Sequence, residues 1–424
     1  PASRNSFAFA DALTARSAVG RLLAAGFAPI DEREPWPTAP GRYLVVRDGS
    51  IIAYSTEAAH PRNGYRIIGA HTDSPNLRLR PRPDRHSCGF AQLAIEVYGG
   101  VLLNSWLDRD LGLSGRIALR SASGTIENVL FSIDEPLLRI PQLAIHLDRS
   151  ISTEGLRLDP QRHMTPVWGL DTGLDLRSHL ASRLEVSPGS ILSWELMCHD
   201  LTPPAILGAD HSMLAAPRLD NQLSCHGAVT ALIASSDRAR HDGAAVPLIC
   251  LFDHEEVGSE SATGAAGSML GTTLERISMG AGISRDQHLA ALASSVCFSA
   301  DGAHATHPNH PERHEPNHLI ELGAGPVIKH NESRRYASDA PGVAMVIEAA
   351  RRCSVPLQHF SSRGDIPCGS TIGPVTSARL GIRTIDLGVA QLSMHSAREL
   401  CGVADPAMFI ALLTELLGTS PAGS

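Results

Sequence analysis

Residues 246–259 read VPLICLFDHEEVGS, an apolar run that changes within one residue into a cluster of acids and a histidine. Seven residues of this composition predict a strand that is buried on both faces, as in a mostly parallel sheet. In open α/β sheets, binding residues lie at the carboxyl ends of such strands. Glu255 and Glu256 cannot usually both face one cation, so we expect one to bind it and the other to accept a proton. The stretch therefore predicts an α/β sheet with a reactive edge.

Four further side chains that can bind a metal end an apolar run or closely follow one. They are His71 in GAHTDSPNLRLRP, Asp220 in PRLDNQ, Asp301 in SSVCFSADGAH and His395 in LSMHSAREL. Together with Glu256 they supply two imidazoles and three carboxylates. This set suits two divalent ions that share one bridging carboxylate, and nitrogen and oxygen donors favour zinc or a similar first-row metal. The residues therefore predict a dinuclear hydrolase.

Simpler roles for some of these side chains remain open at this point. Asp73, two residues after His71, is close enough in sequence for its carboxylate to orient the imidazole. Asp220 can instead cap a helix, because LDNQ precedes a helical pattern and aspartate is favoured at that position. Glu255 and Glu256 can be a solvated charge pair that follows a strand.

A histidine-rich segment follows Asp301. Its histidines have the spacing of three and four residues that one face of a helix would require: His304, His307, His310, His314 and His318. Pro308, Pro311 and Pro316 lie among them, and proline breaks the interior of a helix. We therefore expect a loop here and not a helical metal-storage module.

Seven motifs together resemble one family. They are AHTDSPNLRLRP, APRLDNQLSC, FDHEEVGS, SADGAHATHPNHPERHEPNH, GAGPVIKH, CGSTIGP and QLSMHSARE. In this order they resemble the M18 metalloaminopeptidases, the aspartyl aminopeptidases, from about residue 27 to the C-terminus. The resemblance implies one metal held by His71, Asp220 and Asp301. It implies a second metal held by Asp220, Glu256 and His395, with Asp220 as the bridge, Glu255 as general base and a cis peptide bond after Asp220.

The resemblance also implies substrate contacts and an assembly. The contacts are at His304, Lys329 and Tyr336, and at His146, which would reach the active site of a neighbouring subunit. The positive charge of Lys329 suits an acidic first residue of a peptide, although an ordinary strand-end cation is the alternative. The cofactors implied are two Zn²⁺ per subunit, with Co²⁺ or Mn²⁺ as possible substitutes. The assembly implied is a tetrahedral dodecamer built from dimers.

One departure from the family lies at the N-terminus. PASRNSFAFADAL stands where family members commonly carry a Pro-Phe-His element. This departure affects the expected contacts of the first helix, and it touches no predicted metal ligand.

The composition excludes several classes of protein. The chain has 424 residues, of which 43% are hydrophobic and 19% charged, and its formal net charge is −8. Lys and Arg are dispersed along the chain and the net charge is negative, so the sequence has no basic cluster of the kind that binds nucleic acid. Because no apolar run approaches the roughly 20 residues that span a bilayer, and no secretory signal pattern is present, we expect no membrane association and a cytoplasmic location. The eight cysteines form no CxxC pair, so disulfides and a cysteine zinc site are not expected.

The pattern along the chain predicts two kinds of domain. Helix and strand alternate after residue 218, with helices predicted at Asn221–Ser235, Met269–Ser278, Pro341–Cys353 and Pro406–Leu417 and strands at Val246–Phe252, Val296–Ser299 and Thr384–Leu387. Between them, Ala91–Leu103, Gly115–Leu119 and Thr125–Phe131 are predicted to be β. We therefore expect an α/β, mostly parallel-sheet zinc-peptidase catalytic domain at 1–82 and 216–424. A β-rich domain is inserted at 83–215, and the resemblance implies that it serves dimerisation.

Two other functions remain open besides removal of N-terminal residues from peptides. A dinuclear deacylase or carboxypeptidase that acts on N-acylated amino acids would need a cation for the substrate carboxylate. A catalytically silent scaffold would be expected to lack Glu255 or a ligand, and this sequence retains them all. Serine-hydrolase and single-zinc peptidase motifs, GxSxG and HExxH, do not occur.

Overall fold

The computed structural model describes residues 12–170, 173–237 and 244–418. The segment PASRNSFAFAD, which carries most of the N-terminal departure from the family, lies outside the described residues. The described residues form ten α-helices: α1 Ala12–Ala24, α2 Ile151–Glu154, α3 Pro160–His163, α4 Leu176–Leu184, α5 Leu219–Ser236, α6 Met269–Gly280, α7 Arg285–Ala293, α8 Ala340–Cys353, α9 Ile372–Leu380 and α10 Asp405–Gly418.

The same residues form twenty strands. They are β1 Ala28–Pro29, β2 Arg42–Arg47, β3 Ser50–Ser55, β4 Tyr65–His71, β5 Asn76–Ser87, β6 Phe90–Tyr98, β7 Leu111–Arg120, β8 Ile126–Leu138, β9 Val167–Gly169, β10 Ile191–Asp200, β11 Ala205–Leu207, β12 Met213–Ala216, β13 Val246–Phe252, β14 Val296–Ala300, β15 Ala303–His304, β16 Val327–His330, β17 Gln358–Ser361, β18 Arg383–Gly388, β19 Ala390–Leu392 and β20 Glu399–Gly402.

The described chain divides into two compact units. One comprises Ser74–Pro204 together with His395–Arg398. The other comprises Thr14–Asp73, Ala205–Met394 and the chain from Glu399 onward. Each of the three sheets lies within one unit, so each unit has its own β-structure.

The larger unit contains a nine-stranded sheet in the order β1-β2-β3-β13-β4-β14-β18-β16-β17. Its central strands β13, β4, β14 and β18 are parallel to one another. All seven residues of β13 and all seven of β4 are buried, which explains why these strands are nearly continuous apolar runs. A five-stranded sheet, β11-β12-β20-β19-β15, completes the unit. The expected α/β class with parallel central strands is confirmed.

The other unit contains a six-stranded antiparallel sheet in the order β8-β7-β10-β5-β6-β9. The sequence predicts an insertion at 83–215, and this unit begins and ends earlier in the chain. At its start, β5 runs through Pro81 and Pro83, because the pairing register with β6 shifts between Leu79 and Asp84, and a break in the ladder tolerates proline. At its end, β11 and β12 pair within the five-stranded sheet and not with the six strands.

All seven elements predicted after residue 218 are confirmed within two residues at each end. The β segment predicted for Ala91–Leu103 is too long, because β6 ends at Tyr98 and Leu103–Trp106 forms a 3₁₀ turn. Gly99, with φ at 75°, follows the strand, and such a backbone angle favours glycine and ends regular pairing. The histidine-rich segment forms the short strand β15 and a 3₁₀ turn at Pro311–Arg313, as the prolines predict.

Two expected absences concern the described residues. All eight cysteines, which lie within these ranges, are free thiols. In the described parts of the chain, no helix has both the length and the apolar character needed to cross a bilayer.

Candidate metal centre

Four of the predicted site residues lie at, or just after, the carboxyl ends of three adjacent parallel strands. Strand β4 lies between β13 and β14, and its last residue, His71, pairs with Phe252 at the end of β13. Glu255 and Glu256 form a 3₁₀ turn three residues after β13, and Asp301 follows β14 directly. Because the strands are parallel, their ends meet at one edge of the sheet, as the apolar runs predict.

His71 is held in an orientation that suits metal binding. Its side chain is buried, and Nδ1 lies 3.0 Å from the backbone carbonyl oxygen of Asp73. A carbonyl oxygen can only accept, so Nδ1 donates and Nε2 carries the lone pair when the ring is neutral. Nε2 lies 3.3 Å from a carboxylate oxygen of Asp220 and 3.9 Å from one of Asp301. The imidazole and two carboxylates therefore converge on one point.

Asp73 has a second role that the sequence does not reveal. Its carboxylate lies 3.5 Å from His71 Nδ1, whereas its backbone carbonyl oxygen lies 3.0 Å away, so the carbonyl makes the closer contact to the ring. The two carboxylate oxygens each accept a backbone N–H at 3.0 Å, one from Glu255 and one from Glu256. Asp73 thus joins the end of β4 to the turn after β13. We interpret it as a positioning residue for both carboxylates.

Asp220 lies where α5 begins, in a backbone that is not yet helical. The predicted cis peptide bond between Asp220 and Asn221 is confirmed. The Asp220 N–H donates to the Glu399 carboxylate at 2.9 Å. The Asn221 side-chain amide donates to the Ala300 carbonyl at 2.8 Å, one residue before Asp301. These bonds fix the start of α5 beside the end of β14, and they place the Asp220 carboxylate at the cluster and not in a helix cap.

The electrostatics of the cluster show how strongly it attracts positive charge. Burial acts to lower the pKa of His71, but hydrogen bonds to Asp220, Asp301 and Asp73 outweigh it and raise the pKa well above its ordinary value. In the metal-free chain, burial raises the pKa of Glu255 to about 7. The charge of His71 opposes this shift, and the charges of Asp301, Asp73 and Asp220 add to it. A proton on His71 therefore occupies the place that a metal cation would take.

The donor geometry fits divalent metal ions. One ligand atom from each of His71, Asp220 and Asp301 lies within 4.8 Å of the others, and the same holds for His71, Glu255 and Glu256. One imidazole with several carboxylates is a donor set of the kind that zinc uses in hydrolytic sites. Asp73 supplies the outer hydrogen bonds that such ligands usually require. The residues present therefore suit the zinc expected from the sequence.

Lys329 lies beside this cluster. It is on β16, its side chain is 3% exposed, and Nζ lies 3.7 Å from a carboxylate oxygen of Asp301. Nζ also lies 5.3 Å from the centre of the Tyr336 ring, within the range of a cation–π contact. It is the only lysine among the 424 residues, so every other fixed cationic side chain is an arginine. Lys329 is a buried cation and not an ordinary strand-end residue.

Asp386 is a buried supporting residue that the sequence pattern did not reveal. This buried side chain on β18 accepts the Ala337 N–H at 2.6 Å and the Thr371 hydroxyl at 2.5 Å. The backbone N–H of Asp386 donates to the Ser338 hydroxyl at 3.0 Å. Burial raises the pKa of Asp386, while Thr371, Ala337, Ser299 and the charge of Lys329 lower it. Asp386 holds the residues that follow Tyr336, and the only sequence signal was its place in the predicted strand Thr384–Leu387.

His304 and Tyr336 line a cavity of about 120 Å³ in the same unit. Phe360 and Cys368 also line it, and the rings of His304 and Phe360 meet edge to face with their centres 6.1 Å apart. His304 is exposed and Tyr336 is buried, and burial raises the pKa of the Tyr336 hydroxyl. Two predicted substrate contacts therefore share a cavity large enough for part of a small side chain.

The two remaining predicted residues belong to the unit of the six-stranded sheet. His395 has a φ of 66° and its Nδ1 lies 3.0 Å from the Gly100 carbonyl, so Nδ1 donates and Nε2 carries the lone pair of the neutral ring. His146 lies in an exposed turn between Ile145 and Leu147, which are 50% and 75% exposed. Their places at an active site stay predictions.

Comparisons with known proteins agree with this geometry. The sequence model described as "Aminopeptidase I zinc metalloprotease (M18)" matches residues 12–416. The "Probable M18 family aminopeptidase 2" of Streptomyces avermitilis is 49% identical over 407 residues, which cover 95% of this chain and 93% of that protein.

Solved structures give the same result. A chain in the cryo-EM structure of the Ape4 and Nbr1 complex matches with a TM-score of 0.92 at 35% identity, over 96% of this chain and 83% of that chain. The S. cerevisiae mApe1 dodecamer matches with a TM-score of 0.83 at 27% identity, over 96% of this chain and 92% of that chain. A family match over nearly the whole chain, joined to a buried cluster that suits zinc, leaves one assignment: the chain belongs to the M18 family of zinc metalloproteases and is an aminopeptidase.

Proposed function

We propose that this aminopeptidase uses two zinc ions to remove acidic residues, Asp and Glu, from the N-termini of peptides. The observation that carries the proposal is the buried convergence of His71, Asp220 and Asp301 beside the Glu255–Glu256 turn. A centre with this many anions in a buried place is stable only when cations balance it. Because the family is one of zinc metalloproteases, we take these cations to be zinc ions.

The ligands are assigned as follows. His71, Asp220 and Asp301 hold one ion, and Asp220, Glu256 and His395 hold the other, so that Asp220 is the bridge. His395 enters this set through the family motif QLSMHSARE. Co²⁺ and Mn²⁺ accept the same nitrogen and oxygen donors and are possible substitutes.

The reaction needs a group that moves a proton, and Glu255 fills that role. When bound, the two ions supply Lewis-acid polarisation of the scissile carbonyl and of the attacking water. Glu255 accepts the proton of that water and delivers it to the nitrogen of the departing amine. In the metal-free chain, burial raises the pKa of Glu255 to about 7, so its buried surroundings favour a proton on this carboxylate. Asp73 keeps the Glu255 backbone, and hence its carboxylate, in place.

Lys329 supports the preference for acidic side chains. A buried ammonium that already lies near one carboxylate can pair with the carboxylate of an Asp or Glu substrate. His304 and Tyr336 line a cavity in the same unit, and the centre of the Tyr336 ring lies 5.3 Å from Lys329 Nζ. The same cation would also serve a deacylase that binds a C-terminal carboxylate, so Lys329 alone does not decide between peptides and N-acyl amino acids.

The active form is proposed to be a cytoplasmic homo-oligomer, a tetrahedral dodecamer built from dimers. His146 supports it, because an exposed histidine between exposed apolar side chains suits a surface that a second copy covers. In that assembly His146 completes the active site of a neighbour. The related mApe1 structure is a dodecamer, which is consistent with the same assembly here.

One assay tests the activity and its alternatives together. Matched peptides that differ only in an N-terminal Asp, Glu, Leu or Lys, and the Asp peptide with its amine acetylated, are offered to the zinc-loaded protein with an N-acyl amino acid. We expect release of Asp and Glu, slower release of Leu, and no reaction of the acetylated peptide. Hydrolysis of the N-acyl amino acid alone would favour the deacylase, and no hydrolysis at all would favour a silent scaffold.

A further inference from the structure

Two histidines meet at the edge of the nine-stranded sheet, away from the candidate metal centre. His330 ends β16 and His359 lies on β17, which is the edge strand. In the parallel register His330 pairs with Ser361, two residues after His359, so both rings lie on the same face. Lys329 precedes His330 and therefore points to the opposite face, where it approaches Asp301. The histidine pair is thus separate from the catalytic cluster.

The two rings are already close to the arrangement of ligands on one ion. His330 Nε2 and His359 Nδ1 are 3.0 Å apart, and the ring planes are inclined by 30° with centres 5.2 Å apart. Two nitrogens at about 2.0–2.1 Å from a tetrahedral zinc are separated by roughly 3.3 Å. A small rotation of each ring would turn the contact into chelation, and both rings have room because His330 is half-buried and His359 is exposed.

The surroundings of the pair favour neutral rings. Burial is the largest cause that lowers the pKa of both His330 and His359, and the charge of His318 lowers both further. The charge of His359 lowers the pKa of His330 as well, while Glu332 acts to raise it. A neutral imidazole offers the lone pair that a metal ion binds.

We propose that His330 and His359 form a binding site for one divalent transition-metal ion in addition to the catalytic centre. Imidazoles are the only protein ligands, so the site favours Cu²⁺ over the other first-row divalent ions, and it disfavours Mg²⁺ and Ca²⁺, which require oxygen ligands. Partial burial and neighbouring imidazoles lower the pKa of both rings, which favours the neutral form that binds a metal. A bound ion would link the edge strand β17 to β16.

The test uses the zinc-loaded enzyme and Cu²⁺ as the probe. Calorimetric titration should show one Cu²⁺ bound per subunit beyond the catalytic ions, and electron paramagnetic resonance should show hyperfine coupling to at least two nitrogens. His359→Gln and His330→Gln should each weaken this binding by about 100-fold or more, since even outer partners of a ligand contribute about 10- to 100-fold. His318→Gln should leave it nearly unchanged, because both ligands of the chelate remain.

The controls separate this site from the catalytic one. His310→Gln removes an exposed histidine of the same segment and should leave Cu²⁺ affinity unchanged. Peptidase activity and zinc content should be unchanged in His359→Gln, which also shows that the variant folds. Equal Cu²⁺ affinity and an identical spectrum in the wild type and His359→Gln would overturn the proposal. So would Cu²⁺ that only replaces the catalytic zinc, because then no additional equivalent would bind.

Discussion

The catalytic cluster and the histidine-rich segment from residue 304 to 318 are both rich in side chains that can bind metal, but the fold treats them differently. His71, Asp220 and Asp301 come from chain positions more than 70 residues apart and are all buried. In the histidine-rich segment the side chains bond mostly to neighbours within seven residues, as His307 does with Asn309 and His318 with Glu315. A metal centre therefore depends on strand ends that bring distant ligands together in a buried place, and not on the number of possible ligands in one segment.

The largest effect is expected when the bridging carboxylate of Asp220 is removed. Asp220→Ala should lose both zinc ions together and reduce peptidase activity to background, because each ion loses a ligand and the anion between them disappears. Metal content measured by mass spectrometry on purified protein checks this. Asp286→Ala removes an exposed aspartate and is the matched control. Retention of two zinc equivalents in Asp220→Ala would show that Asp220 is not the bridge.

The next effect in size isolates chemistry from metal binding. Glu255→Gln should keep both ions and lower kcat by roughly 10²- to 10⁴-fold, the usual contribution of a general base. Glu260→Gln, an exposed glutamate five residues later, should have normal activity. Steady-state kinetics together with metal analysis decide the matter. A Glu255→Gln enzyme with normal kcat would remove Glu255 from the proton transfer.

Lys329 offers a test of specificity within the same cluster. Lys329→Met keeps the length of the side chain and removes its charge, and loss of a buried charge partner costs about 2–5 kcal/mol. We therefore expect kcat/KM for N-terminal Asp and Glu to fall far more than kcat/KM for Leu. Lys329→Arg is the matched variant that retains the charge, and it should retain more of the acidic preference. If both substrates lose equally, Lys329 does not select the substrate.

The pH dependence of the centre follows from His71. Its pKa is raised in the folded chain, so in metal-free protein it contributes stability that is present below its ordinary value and lost as pH rises through the raised value. Zinc needs the neutral ring, so zinc affinity should instead fall by about tenfold per pH unit as the solution becomes more acidic. Unfolding of EDTA-treated protein and zinc calorimetry at pH 6 and 8 check the two trends. Parallel trends would contradict the direct competition at Nε2.

The smallest effect is expected in the histidine-rich segment. His310→Gln should leave peptidase activity unchanged. It should change the free energy of unfolding by no more than about 0.5 kcal/mol, as for most exposed positions. The measurement is a denaturant titration together with steady-state kinetics. A large loss of activity would mean that the segment takes a direct part in the catalytic centre.

The residues of the centre differ in how far the sequence reveals them. His71, Glu255, Glu256 and Asp301 were predictable, because an apolar run that ends in a ligand marks the end of a buried strand. The role of Asp73 as acceptor for two N–H groups was not, since it depends on a turn more than 180 residues away. Asp386 was missed because its partners Ala337 and Thr371 lie 49 and 15 residues away in the chain, and the His330–His359 pair was missed because only strand pairing makes that contact.

The fold shows a similar limit. The central strands and most helices after residue 218 follow from periodicity. Helix α9 was missed because IGPVTSARL carries Gly and Pro, which usually interrupt a helix. Here both lie in the first turn, where the Thr371 hydroxyl accepts the Gly373 N–H and proline is tolerated. The end of the β-rich unit depends on which sheet β11 and β12 join, and no local pattern gives that information.

The central claim is that two metal ions share Asp220 at the ends of the buried strands. Anomalous diffraction at the zinc edge, recorded on crystals of the zinc-loaded protein, tests it most directly. We expect two peaks, one coordinated by His71 and Asp301, the other by Glu256 and His395, with the Asp220 carboxylate bound to both. A single peak, or two peaks of which Asp220 touches only one, would contradict it.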